Sequence, residues 1–244
     1  MSFSSLHQSG NPLILFNIWD AGSARAVAGA GAVALATGSA SVAGALGYDD
    51  GQQMPFDQLL SVVERIRAVS DLPLSVDFEA GFADSPEGVA ANAKRLAALG
   101  VAGINLEDGI PPENGIRSAP EHAALVTAVR QATDLFINAR TDLFLQNPAD
   151  AHEGLLAEAL DRAGIYAAAG ADGFFAPGLS DPALIKALCR DCTLPVNIMH
   201  LPAGPDIATL AGLGVARISY GPFPWRDAMA GVASAYSDLV PNGA

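Results

Sequence analysis

Four times along this 244-residue chain an Ala/Leu-rich segment runs into a glycine and then into a short apolar run. The copies are Ala30-Gly31-Ala32-Val33, Leu99-Gly100-Val101-Ala102, Ala169-Gly170-Ala171-Asp172 and Leu213-Gly214-Val215-Ala216. Glycine takes the left-handed conformation that stops a helix, so each copy reads as a helix end feeding a strand. A chain that repeats this step must bury its strands under helices, which restricts it to α/β architectures built on parallel sheet. The remaining pattern places strands near 13–17, 33–37, 74–78, 103–107, 135–139, 173–176, 195–198 and 216–219. Helices are expected from about 21 to 30 and near 56–69, 86–99, 120–132, 149–168, 181–190, 205–212 and 225–239. Ser85-Pro86, Asn147-Pro148 and Asp181-Pro182 mark helix starts. Eight strand–helix units predict a (β/α)8 TIM-type barrel over residues 1–244 as a single domain, with a doubly wound open sheet as the alternative. Residues 1–10 read as a polar, loosely ordered lead-in.

Composition narrows the function classes. Half of the residues are hydrophobic, enough for one large core, and the net charge of −13 with 13 scattered Lys and Arg disfavours nucleic acid or anionic membrane as partner. No basic leader precedes an apolar stretch, and no apolar run reaches about 18 residues, so a cytoplasmic protein is expected. Cys189 and Cys192 form one C-x-x-C without a second ligand pair, which reads as two ordinary reduced thiols.

In either candidate fold chemistry belongs at the C-terminal ends of the strands. The third strand ends in Asp77-Phe78-Glu79, whose i, i+2 spacing puts both carboxylates on one face, and the next ends in Glu107. Three converging acids with no Lys or Arg in either stretch need protonation, a basic partner or a cation. That pattern points to an oxygen-ligand pocket for a hard divalent ion, Mg²⁺ in the first place and Mn²⁺ as a substitute. Arg140, at the end of the fifth strand, is placed to face this site as a carboxylate or phosphonate clamp, or to neutralise Asp142. Asp50 lies in a Gly-flanked acidic turn where a local backbone bond is the alternative role. Ser39 follows the second strand in a small-residue loop; Asn197 and His200 end the seventh strand and Tyr220 the eighth. His200 and Tyr220 are candidate proton donors, with a structural role as the alternative for His200. His7, His122 and His152 are expected at the surface.

The motifs Asn17-Ile18-Trp19-Asp20-Ala21-Gly22-Ser23-Ala24, Thr37-Gly38-Ser39-Ala40, Leu46-Gly47-Tyr48-Asp49-Asp50-Gly51, Val76-Asp77-Phe78-Glu79-Ala80-Gly81-Phe82, Gly103-Ile104-Asn105-Leu106-Glu107-Asp108 and Ala139-Arg140-Thr141-Asp142 occur in order. Together they resemble the isocitrate lyase and phosphoenolpyruvate mutase superfamily, from about residue 11 to about residue 230. The resemblance implies a Mg²⁺-dependent barrel acting on 2-oxo or 2-hydroxy acids through an enolate. It also implies a homodimer or homotetramer whose final helix packs on a neighbouring subunit. It makes Asp77 the principal metal ligand, Glu79 and Glu107 ligands direct or through water, and Asp50 a water-mediated ligand. It makes the Gly38-Ser39-Ala40 backbone the substrate carboxylate cradle and Arg140 the anion-binding arginine. Trp19, after the first strand, and Asn197 are further candidate substrate contacts.

Two departures narrow the activity. The catalytic-cysteine loop of the lyases has no counterpart here, and where the phosphonate enzymes carry a lysine the loop Gly109-Ile110-Pro111-Pro112-Glu113-Asn114 has Glu113. An acid there would repel a phosphonate dianion. The expected activity is therefore a Mg²⁺-dependent lyase or decarboxylase of a small 2-oxo (di)carboxylic acid. Phosphonopyruvate hydrolysis or phosphoenolpyruvate phosphonomutase chemistry and a catalytically silent 2-oxo acid-binding protein are the alternatives.

Overall fold

The structure, a computed structural model, describes residues 2–112 and 115–240. Its strands are β1 (Leu13–Leu15), β2 (Asn17–Ile18), β3 (Leu35–Thr37), β4 (Leu74–Asp77), β5 (Gly103–Glu107), β6 (Phe136–Arg140), β7 (Gly173–Phe175), β8 (Val196–Met199) and β9 (Arg217–Ser219). All pairings are parallel, in the order β1-β9-β8-β7-β6-β5-β4-β3-β2. The two ends of that order, β1 and β2, are separated only by Phe16. The first expected strand is thus one strand broken at Phe16, and it closes the sheet into the eight-position barrel.

The helices are α1 (Ala21–Gly29), α2 (Ser39–Ala45), α3 (Phe56–Arg67), α4 (Pro86–Ala98), α5 (Ala119–Ala132), α6 (His152–Ala169), α7 (Pro182–Asp191), α8 (Ile207–Gly212) and α9 (Phe223–Leu239). The four glycines of the repeat, Gly31, Gly100, Gly170 and Gly214, all have positive φ and end helices as the pattern requires. Ser85 caps α4 and Asp181 caps α7 through side-chain bonds to backbone N–H groups, but Asn147 does not cap: its amide donates to the Leu143 carbonyl. Capping boxes at Asp20/Ser23 and Ser118/Glu121 start α1 and α5. Helix α2 falls where a loop was expected, because Gly38-Ser39-Ala40-Ser41 carries no hydrophobic period to betray a helix.

The lead-in is ordered, contrary to expectation. Ser4–Leu6 form a 3₁₀ turn that carries Phe3 and His7 beneath the barrel. The His7 ring stacks on Phe136 at 4.1 Å, and Phe3 meets Phe136 edge-on at 5.5 Å. A Cβ on Gly103 would lie 2.9 Å from the Phe3 ring, so only glycine at the start of β5 lets this aromatic floor close. His7 is therefore not a surface residue, and burial, with the Arg217 charge second, lowers its pKa to about 4. His122 and His152 are buried as well, His122 edge-on to Tyr166 at 4.6 Å and His152 against Phe144. Each was assigned to the surface because a single polar residue on a helix carries no sign of the neighbour that covers it.

Above the floor the barrel interior is polar rather than filled with branched aliphatics. Arg217, 1% exposed, donates from Nη2 to Asn105 Oδ1 at 3.0 Å and Ser75 Oγ at 3.3 Å, and Asn138 donates to the same Asn105 oxygen at 2.9 Å. Asn197 and Ser219 bond to each other across β8 and β9 at 3.0 Å.

At the far end of the chain Trp225 packs against Gly44, whereas Met229, Val232, Tyr236 and Leu239 on the rest of α9 stand 40, 64, 68 and 81% exposed. The apolar face of this helix is therefore split between its own barrel and solvent. Among the described residues no helix is long and apolar enough to cross a membrane.

Candidate active site

Strand β4 ends at Asp77, so strand alternation does not set the direction of Glu79. Glu79 instead has φ +49, a left-handed conformation in a non-glycine residue. The other two such residues described, Gln52 and Phe82, are bonded to it in a chain: Gln52 N–H donates to Glu79 Oε2 at 2.6 Å, and Phe82 N–H donates to the Gln52 side-chain oxygen. Backbone strain is therefore concentrated around one carboxylate, and the cost, on the order of 1 kcal/mol or more per residue, is what one expects at a functional site. The β ladder continues past it, since Glu107 N–H donates to the Glu79 carbonyl at 2.9 Å.

Glu107 and Arg140 are register partners on β5 and β6, and the guanidinium lies 2.8 Å from Glu107 through Nη1 and 2.6 Å from Asp142 through Nε. One acid of the trio thus does have a basic partner, supplied by the neighbouring strand. The pairing raises the Arg140 pKa against its burial, while burial drives Glu107 well above the carboxylate range despite Arg140. The uncompensated group is Asp77, Glu79 and Asp50. Burial, then the charges of Asp77 and Asp50, pushes Glu79 up to about 8. Burial, then Asp77, raises Asp50, with the Ser39 hydroxyl opposing.

Asp77 is 9% exposed. Its Oδ2 accepts from Ser39 N–H at 3.1 Å, and its backbone N–H is held by the Thr37 hydroxyl at 2.9 Å. Its Oδ1 is buried and accepts no hydrogen bond from a described residue. A buried carboxylate oxygen without a donor is costly, and a cation is the partner that removes the cost. Among the described residues no three His, Cys, Asp or Glu side chains converge tightly enough to grip a metal by themselves. The donor set therefore fits an ion that keeps several waters, with Asp77 in contact and the other acids reached through water, as Mg²⁺ prefers.

Two cavities of about 310 and 390 Å³ meet at Ser39, Asp50, Arg140 and Leu145. The first holds Glu79, Glu107 and Asp142 under the 109–112 segment; the second holds Asp77, Gly38 and Ala40. Most of the expected residues are therefore assembled here, but four are not. Asn197 is spent on Ser219 inside the barrel. His200 and Tyr220 stack on each other at 5.1 Å, outside both cavities. Trp19 packs against the hydrophobic core. Asn197 faces inward but is bonded below the cavities, whereas Trp19, His200 and Tyr220 sit near strand ends in sequence, and a strand end has an inner and an outer side that a one-residue difference exchanges. Sequence reasoning passed over Asn17, whose side-chain oxygen holds the Tyr220 and Gly221 N–H groups at 2.8 and 2.9 Å, whereas the expected pairing of Arg140 with Asp142 is present beside its pairing with Glu107. Glu113 and Asn114 lie outside the described residues.

Comparison with known proteins agrees with this geometry. A family model described as phosphoenolpyruvate phosphomutase matches residues 3–240. The chain belongs to that family. Within the isocitrate lyase and phosphoenolpyruvate mutase superfamily it is 50% identical to a crystal structure from Burkholderia cenocepacia J2315, provisionally named a phosphonomutase, covering 98% of this chain and 97% of that one with TM-score 0.95. A protein of Mycobacterium tuberculosis H37Rv is 36% identical over 96% of this chain and 87% of its own. The 2-methylisocitrate lyase of Salmonella typhimurium is 34% identical over 71% of this chain and 60% of its own. Relatives also include oxaloacetate decarboxylases. Lyases and decarboxylases among the relatives support an enzyme.

Proposed function

We propose that the protein is a Mg²⁺-dependent carbon–carbon lyase, acting on a 2-oxo or 2-hydroxy dicarboxylic acid through an enolate. The observation that carries this reading is the unpartnered Oδ1 of Asp77, buried beside Glu79 and Asp50. Asp77 would hold the ion directly, with Glu79, Glu107 and Asp50 reached through water and Mn²⁺ as a substitute. When bound, the ion supplies a Lewis acid for negative charge developing on the 2-oxo oxygen.

The chain's own groups do the rest. Arg140 gives Nη1 and Nε to Glu107 and Asp142, so it presents its remaining edge to a substrate carboxylate rather than a free fork. Ser39 N–H is spent on Asp77, which leaves the next backbone N–H groups of α2 for the substrate. Among the described residues no His, Cys or Lys lines either cavity, so proton transfer falls to carboxyl groups, Ser39 or water. Decarboxylation of a β-oxo acid suits such a site, because the departing CO₂ leaves an electron pair and only one later protonation is needed.

Carbon–phosphorus chemistry is the second reading, favoured by the name of the Burkholderia protein. Against it, the loop after β5 carries Glu113 where the phosphonate enzymes carry a lysine, and an acid in place of that cation disfavours a phosphonate dianion. The test is turnover and thermal stabilisation with oxaloacetate, 2-methylisocitrate and phosphonopyruvate, each with and without Mg²⁺, beside Asp77→Ala. Mg²⁺-dependent turnover of phosphonopyruvate alone overturns the lyase reading, and stabilisation without turnover of any compound makes the protein a binder.

The exposed Met229, Val232, Tyr236 and Leu239 of α9 support a homodimer or homotetramer in which a second copy covers them. Light scattering of the purified protein checks this, with a monomer as the overturning result.

A further inference from the structure

The acid cluster occupies only one end of the space available to a ligand. From the junction at Ser39, Asp50 and Arg140 the larger cavity runs away from Glu79 and Glu107, and its character changes. Its acids are Asp50, at the junction, and Asp77, which lines this cavity alone. Its walls include Phe175, Pro177, Met199, Leu201 and Phe223, beside the polar side chains of Asn17, Asn105 and Ser219. At the rim stands a cation, Arg226 on the first turn of α9, with its guanidinium carbon 5.9 Å from the centroid of the Phe223 ring. Among the described residues Arg226 forms no ion pair, whereas Arg140 forms two.

A ligand the size of oxaloacetate would fill the junction and leave the apolar walls facing water and Arg226 unused. We infer that the substrate is a longer 2-oxo or 2-hydroxy dicarboxylic acid. Its reacting end lies at Asp77 and Arg140, an alkyl stem runs along Phe175, Met199 and Leu201, and a distal carboxylate meets Arg226. This rests on the reading above, which places the reacting carboxylate at the junction. The physical logic is a division of labour: the stem gains affinity by leaving water, and the distal charge selects diacids over monoacids.

The experiment measures dissociation constants with Mg²⁺ for oxaloacetate, 2-oxoglutarate, 2-oxoadipate and 2-oxopimelate. The monoacids 2-oxohexanoate and 2-oxoheptanoate serve as length-matched controls. Each methylene added up to the optimum should tighten binding about fourfold. A diacid of optimal length should exceed its matched monoacid roughly tenfold. Leu201→Trp should abolish the gain with length. Arg226→Gln, at an exposed position, should remove the diacid advantage alone, so it decides the matter even if Leu201→Trp misfolds. A flat or falling series, or monoacids equal to diacids, with oxaloacetate still bound in a Mg²⁺-dependent manner, overturns this inference and leaves the proposed function standing. No Mg²⁺-dependent binding of any acid overturns both.

Discussion

The two ends of this barrel lie on one axis and are built on opposite principles. At the N-terminal end Phe3, His7 and Phe136 close the floor with rings packed at 4.1 to 5.5 Å, and the titratable group among them is held neutral by burial. At the C-terminal end acids are gathered where they repel one another, a backbone is twisted left-handed to aim one of them, and a buried carboxylate oxygen goes without a donor. The floor is what a chain does for stability; the mouth is what it does at the expense of stability. Between them Arg217 leaves Nε and Nη1 unpartnered, and burial lowers its pKa to about 9 while the Asp77 charge above opposes that shift. The same fold gathers its uncompensated acids at one end, with the unpartnered Arg217 nitrogens beneath them, and that end is the place to look for chemistry.

If this contrast is right, substitutions at the two ends should separate activity from stability. Asp77→Ala should cost about a thousandfold in turnover, the several kcal/mol expected for lost charge stabilisation, while the metal-free thermal midpoint stays level or rises. A mutant that unfolds would make Asp77 part of the scaffold. Phe3→Ala should do the reverse, lowering unfolding free energy in denaturant titrations by about 3 kcal/mol with turnover per folded molecule kept.

The ends should also answer pH in opposite directions. Glu79 has its folded pKa raised from 4.5 to about 8, so the folded state holds a proton that the unfolded state has lost. Metal-free protein should therefore lose stability as pH rises across that window, with Glu79→Gln flattening the slope and Mg²⁺ restoring stability at the upper end. His7 has its folded pKa depressed from 6.5 to about 4, so here the unfolded state binds the proton. Stability should fall as pH drops through that interval, by a smaller amount, and His7→Phe should remove that contribution. Equal slopes in wild type and both variants would mean that neither group reports on its end of the barrel.

Much of the architecture was legible in the chain. The glycines that end helices, the short apolar runs and the acids at their ends are local signals, each readable within about ten residues because helix ends and strands are set by local conformational preference. The membership of Asp77, Glu79, Glu107 and Arg140 in one region followed from the rule that strand ends gather at one face of a barrel, whereas Asp50, in a turn away from any strand end, entered through the family resemblance. What misled was orientation. Asp77 and Glu79 were placed together by strand alternation, whereas a left-handed turn joins them; His200 and Tyr220, equally near strand ends, turn to each other. The lead-in looked loose because Phe3 and His7 acquire meaning only when Phe136, more than a hundred residues away, presents its face.

The sequence alone determined the α/β class with a parallel sheet, the order of its units and the acids at the strand ends, because each depends on residues close together in the chain, while closure into a barrel came from the pairing of β1 with β9 and β2 with β3. Tertiary structure decided which groups lost water and which found partners: Arg140 with Glu107 and Asp142, Asn197 with Ser219, the buried rings of the floor, Arg226 in the lining of the same cavity as Asp50 and Asp77. Desolvation and ion pairing depend on distance in space and on what excludes solvent, and neither quantity is written along the chain.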